Sequence, residues 1–188
     1  MATQPKHLYT FDEYLRIEEK AEYKSEFHAG HVYAMAGASE TYSRLVVRTF
    51  IILDRLFPEC RLYTDLKFYV EQADLCVYPD CMVLCGDPQF WKDRRDVIVN
   101  PSVVVEVLSP STEEYDQWTK VNYYRSARSI QHIILVSQQQ ISVEHYERQP
   151  DDSWTIRSYL TVHDRIPLMR KELPLEELYR GILDQQNS

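Results

Sequence analysis

Two acids stand in surroundings that ought to exclude them. Asp80 follows Pro79 in Y-P-D-C-M-V, at the head of an apolar run. Glu106 interrupts P-S-V-V-V-E-V-L: Val103, Val104 and Val105 lead in, Val107 and Leu108 lead out. Such a β-branched run reads as a strand covered on both faces. An ionised carboxylate there loses its water, so it needs a cation, a donor or an open cleft beside it. Two acids on adjacent strands can point into one cleft, where each raises the other's pKa unless a cation sits between them. A hard divalent ion fits: Mg²⁺, or Mn²⁺ in its place, is held by one or two carboxylates plus water and substrate phosphate. Lys120, one helical turn after Asp116, offers an ammonium that could polarise a bound water or steady phosphate charge. Glu26, in S-E-F-H-A-G, could add a carboxylate.

Each residue alone has a plainer reading. Asp80 could be a turn residue after proline, Glu106 the partner of a structural Arg or Lys, and Lys120 a solvated helix residue paired with Asp116. The set gains weight because its members occur together, in order, in matching contexts.

The elements that must position them follow from periodicity. Residues 10–20 read as a helix with Phe11, Tyr14 and Leu15 on one face and Ile17 close to it; Thr10 and Glu13 have capping-box spacing. After a turn at Gly30, H-V-Y-A-M-A-G reads as a strand, and Ser39 opens a second helix to about Phe57. R-L-Y-T-D-L-K-F-Y-V alternates as one strand, with Leu62, Leu66, Phe68 and Val70 inward. The strands around Asp80 and Glu106 come next, separated by a polar loop over 87–100. Ser111 and Glu114 predict a capped third helix to about Ala127. Strands at I-Q-H-I-I-L-V-S, I-S-V-E-H-Y-E-R and S-W-T-I-R-S-Y-L-T follow, the first two as a hairpin. P-L-E-E-L-Y-R-G-I-L closes as a short helix with Pro174 near its start. This order implies an α/β or α+β layer on a mixed sheet, with one helix returning between two strands.

These residues resemble the PD-(D/E)xK nuclease superfamily, and more closely its bacterial branch of uncharacterised restriction-endonuclease-like proteins. The resemblance rests on Pro79-Asp80, on E-V-L-S-P-S-T from Glu106 to Thr112, and on Lys120 in the following helix. Y-T-F-D-E-Y, Glu26 with Gly30, M-A-G-A-S at 35–39 and the C-terminal P-L-E-E-L-Y-R-G-I-L extend it over nearly the whole chain. Three positions depart from the branch pattern: Tyr42 where a histidine is frequent, Ala29 where an acid often precedes the turn glycine, and Gln131 where a Pro-Glu pair is usual. The superfamily's lysine two residues after the glutamate is replaced by Leu108, which makes Lys120 the candidate. The resemblance implies a restriction-endonuclease-like mixed sheet flanked by helices, with Asp80, Glu106, Lys120 and Glu26 catalytic. Asp80 and Glu106 would hold Mg²⁺, a backbone carbonyl near Val107 completing the site. Lys120 would orient or deprotonate the attacking water, and Glu26 would assist the metal site or orient Lys120. The implied activity is hydrolysis of phosphodiester bonds in DNA. The alternative is a catalytically silent relative that binds nucleic acid or a protein partner. RNA as the target stays open. The superfamily also predicts a homodimer.

At 188 residues the chain has the length of one domain, 1–188. Its net charge of −8 argues mildly against a nucleic-acid binder, although net charge says nothing of patches. No run of about 18 apolar residues suggests a membrane span, and the N-terminus lacks a signal-peptide core, which predicts the cytoplasm. Cys60, Cys76, Cys81 and Cys85 lack zinc-site spacing and read as reduced, packed thiols, a disulfide being disfavoured in that compartment. Four glycines and no Gly-rich loop give no phosphate cradle for a small phosphorylated substrate. Tyr115, Trp118, Tyr123 and Tyr124 crowd the third helix, where core or interface use outweighs base stacking.

Overall fold

The structure, a computed structural model, describes residues 7–35, 37–109 and 119–183. Helix α1 (Phe11–Glu18) starts where Thr10 and Glu13 close a reciprocal capping box; it buries Phe11, Tyr14 and Leu15 and leaves Ile17 exposed. Strands β1 (Ser25–His28) and β2 (His31–Ala34) form a hairpin. Helix α2 (Glu40–Leu56) is capped by the Ser39 hydroxyl.

The stretch 61–70 is not one strand. It divides into β3 (Arg61–Tyr63) and β4 (Lys67–Val70), which lie in different sheets. The break falls at Asp65, whose φ of 64° is incompatible with a continuing strand. Strand β4 is buried throughout, so its alternation does not separate core from solvent; Lys67 reaches Asp96 at 3.0 Å. Strands β5 (Leu75–Val77), β6 (Cys81–Leu84), β7 (Val97–Ile98) and β8 (Val103–Leu108) follow, β5 and β7 being too short for a pattern to show. Helix α3 covers Val121–Ser126; the capping pair Ser111 and Glu114 lies outside the described residues. Strands β9 (His132–Ser137), β10 (Val143–Arg148) and β11 (Trp154–Tyr159) run as an antiparallel meander. A further hairpin, β12 (Arg165–Leu168) with β13 (Lys171–Pro174), precedes helix α4 (Leu175–Tyr179).

The strands form a six-stranded sheet, β11-β10-β9-β8-β6-β3, a five-stranded sheet, β2-β1-β5-β4-β7, and the terminal hairpin. Strands β8 and β9 are parallel, joined by the crossover that contains α3, while β6 and β8 are antiparallel. The α+β mixed-sheet expectation therefore holds, with the strands shared among three sheets. Strand β8 is covered on both faces. Val103, Val105 and Val107 pack with Leu45, Ile52 and Leu53 of α2, and Val104 and Leu108 pack with Phe68, Tyr124 and Ile133. A third cluster joins α1 to the five-stranded sheet through Phe11, Tyr14, Phe27 and Tyr69.

The expectation of four reduced cysteines is wrong for two of them. Cys60 and Cys85 form a disulfide, their Cα atoms 4.4 Å apart. The β3–β6 register pairs Arg61 with Leu84, so one step outward sets Cys60 against Cys85. That proximity comes from strand pairing and is invisible in the sequence spacing. Cys76 and Cys81 are buried thiols; burial pushes the Cys81 thiol up to about 12. Among the described residues no helix is long and apolar enough to cross a membrane.

Candidate active site

The β6–β8 register pairs Cys81 with Val105, and one further step brings Asp80 opposite Glu106. Residues so paired share a face of the sheet. Asp80 is half-buried. Its Oδ2 accepts the backbone N–H of Val107 at 2.6 Å, and its Oδ1 accepts the Tyr42 hydroxyl. The Val107 backbone is thus at the site, with its N–H in contact, while its side chain belongs to the core.

Glu106 is 4% exposed. The Tyr124 hydroxyl donates to its Oε1 at 2.5 Å, and Lys120 Nζ lies 3.6 Å from the same oxygen. Lys120 Nζ also meets Glu26 Oε1 at 2.8 Å. Lys120 stands immediately before α3 with helical backbone angles, so the helix that supplies Tyr124 also aims the amine. The four sequence candidates therefore fall into two contacts: Glu26–Lys120–Glu106, and Asp80 against the backbone one residue beyond Glu106. Glu26 serves Lys120 directly.

Three supporting residues escaped sequence reasoning in this role. Tyr42 occupies the first turn of α2, where its N–H donates to the Ser39 hydroxyl at 3.0 Å. Burial, then the Asp80 charge, pushes its phenol far above the usual range, so it remains a donor. Tyr124 plays the corresponding part for Glu106. The third is Glu18, at the end of α1. It accepts the Ser25 N–H at 3.0 Å and the Tyr78 hydroxyl at 2.8 Å. One buried carboxylate thus ties the strand carrying Glu26 to the segment carrying Asp80. A glutamate at the foot of an amphipathic helix gives no sign of this in sequence.

The donor set suits a hard divalent cation. Carboxylate oxygens from two neighbouring strands, with remaining positions left to water and substrate, are the usual provision for Mg²⁺. Among the described residues no group of three or more His, Cys, Asp or Glu is placed to hold a metal ion.

Residues 11–176 match the family Uma2, described as "Putative restriction endonuclease". The chain belongs to the Uma2 family. It is 35% identical over 182 residues to the uncharacterized protein slr1290 of Synechocystis, covering 91% of each chain. It is 33% identical over 154 residues to the uncharacterized protein sll1609 of the same organism, covering 78% of this chain and 85% of that one. Among solved structures, a crystal structure of "a putative nuclease belonging to DUF820" from Anabaena variabilis superposes with a TM-score of 0.74. It covers 91% of this chain and 97% of that one at 15% identity, a likeness of fold. The restriction-endonuclease-like assignment of this Uma2 protein thus rests on family and fold together.

Proposed function

We propose that this Uma2 protein is a Mg²⁺-dependent endonuclease that hydrolyses phosphodiester bonds in DNA. The observation that carries the reading is the placement of Asp80 opposite Glu106 across β6 and β8, with the Lys120 amine 3.6 Å from Glu106. Family membership and the fold support it.

Asp80 and Glu106 would hold Mg²⁺, which when bound supplies Lewis-acid stabilisation of phosphate charge. The chain's own residues do the rest. Val107 N–H and Tyr42 fix the Asp80 carboxylate, and Tyr124 fixes Glu106, so neither acid needs to reorganise. Lys120, steered by Glu26, would orient the attacking water and face the negative charge developing on the phosphoryl oxygens. Assembly as a homodimer belongs to the same proposal and is checked by light scattering.

Asp80→Asn and Glu106→Gln are expected to abolish Mg²⁺-dependent nicking of plasmid DNA while leaving the far-UV circular dichroism unchanged. Undiminished nicking by either variant removes the assignment. The contact between Tyr42 and Asp80 favours a second reading, a family member that binds without cutting, because Tyr42 stands where the superfamily branch often carries histidine. In that case Mn²⁺ titration gives a binding isotherm that Asp80→Asn abolishes, with no cleavage by the parent protein.

A further inference from the structure

The β1–β2 hairpin carries a strip of rings that the chemistry above does not use. Its turn residues, Ala29 and Gly30, both have positive φ, 45° and 85°, as a tight two-residue hairpin turn requires. A Cβ at Gly30 would meet the Leu8 Cβ at 3.0 Å, which reserves the position for glycine. This turn fixes the register: Tyr33 lies directly opposite Glu26, and His31 opposite His28. Phe27 and Val32 point to the other face and pack with α1. The face that delivers Glu26 to Lys120 therefore also displays His28, His31 and Tyr33.

From the helix side Tyr123, three residues after Lys120, lays its ring on His28 with centroids 4.5 Å apart at 51°. The His31 and Tyr33 centroids are 6.3 Å apart. Tyr33 is 49% exposed, and β2 is an outer strand of its sheet, so the ring faces solvent. Burial holds His28 below the usual imidazole range.

The charge distribution indicates what such a strip would hold. A duplex conceals its base faces and is gripped through its phosphates by many cations. This chain has a net charge of −8. Arg44, Arg48 and Arg55 of α2 tie down the C-terminal segment through Gly181 O at 2.6 Å, Glu177 O at 3.3 Å and the Glu177 carboxylate at 2.5 Å. Unpaired bases, by contrast, offer π-faces on which exposed aromatic rings can stack. We infer that the Tyr33 strip beside Glu26 is a base-stacking subsite, and that the nucleic acid entering the candidate site is single-stranded there. This rests on the nuclease reading and specifies its substrate.

The test uses fluorescein-labelled oligodeoxythymidylate, oligouridylate and a DNA duplex, with anisotropy read in EDTA so that nothing is cut. The protein is expected to bind a single strand more tightly than the duplex. Tyr33→Ala, which removes an exposed ring, should weaken single-strand binding about tenfold, the effect of one lost base stack. Tyr33→Phe should retain it. The two single strands show whether deoxyribose or ribose is accepted. Unchanged binding by a folded Tyr33→Ala protein, or preference for duplex, overturns this inference alone. Loss of binding in Tyr33→Ala together with full cutting by Glu106→Gln overturns the site assignment and leaves the subsite standing. A parent protein that binds no oligonucleotide overturns this inference, while the nicking assay with Glu106→Gln decides the nuclease reading separately.

Discussion

Glu26 and Lys120 meet at 2.8 Å with side chains only 11% and 8% exposed, although they come from the first hairpin and the crossover after β8. Lys120 also lies near Glu106, so one ammonium separates two buried carboxylates. Removing a member of such a group leaves the others uncompensated, typically at a cost of about 3–5 kcal/mol. Lys120→Met should lower urea-unfolding stability by that order. Adding Glu26→Gln to Lys120→Met should restore part of the loss, since one of the two facing charges is gone. If Lys120→Met is as stable as the parent, the amine does not hold these acids together.

Glu18 offers a way to disturb the site from outside it. Its carboxylate fastens Ser25, next to Glu26, and Tyr78, two residues before Asp80. Glu18→Ala should destabilise by about 1–3 kcal/mol through the orphaned donors. It should also weaken Mn²⁺ binding measured by calorimetry. Tyr78→Phe removes only one of these bonds and should show a smaller shift in both. Mn²⁺ affinity untouched by Glu18→Ala would show that Asp80 is positioned without it.

Acid should loosen the fold through a histidine pair. His132 Nδ1 and His145 Nε2 are 3.0 Å apart on β9 and β10, and both side chains are buried. Burial first, then its histidine neighbour, lowers His145 to about 4, and burial lowers His132 as well. Both folded values lie below the unfolded value of about 6.5. Between about pH 4 and 6.5 the unfolded chain therefore binds more protons than the folded one. Stability contributed by the neutral imidazoles is complete above about pH 6.5 and declines as pH falls toward 4. His145→Gln should flatten the dependence of unfolding free energy on pH in this window, the parent losing on the order of 2 kcal/mol more than the variant across it. Parallel slopes for parent and variant would rule the pair out as the source.

The Cys60–Cys85 bridge closes a loop across 25 positions and should contribute about 3 kcal/mol by restricting the unfolded chain. Thiol titration in denaturant without reductant should find two reactive groups, Cys76 and Cys81. A melting temperature that does not fall on reduction would show that the bridge adds nothing to stability.

Local signals made much of this legible. The capping box at Thr10 and Glu13, the Ser39 cap and the valine run around Glu106 are each written within a few residues. Glu106 declared itself because a carboxylate inside such a run demands partners. The identity of those partners was not legible. Tyr124 reaches Glu106 across a sheet face, Tyr42 reaches Asp80 from another helix, and Glu18 meets Tyr78 sixty positions away. Such contacts depend on packing, which one-dimensional spacing does not encode. Strand pairing likewise hid the disulfide and divided residues 61–70 between two sheets.

The pairing of β6 with β8 has a consequence for how the chain folds. Side chains alternate faces along β8, so a slip of one residue would turn Glu106 into the aliphatic layer beneath α2 and raise Val105 or Val107 toward Lys120. An unsolvated anion among leucines is far costlier than a misplaced valine. The same glutamate proposed to hold the metal therefore also proofreads the alignment of the central sheet, and a change made to disarm it would relax that quality control as well.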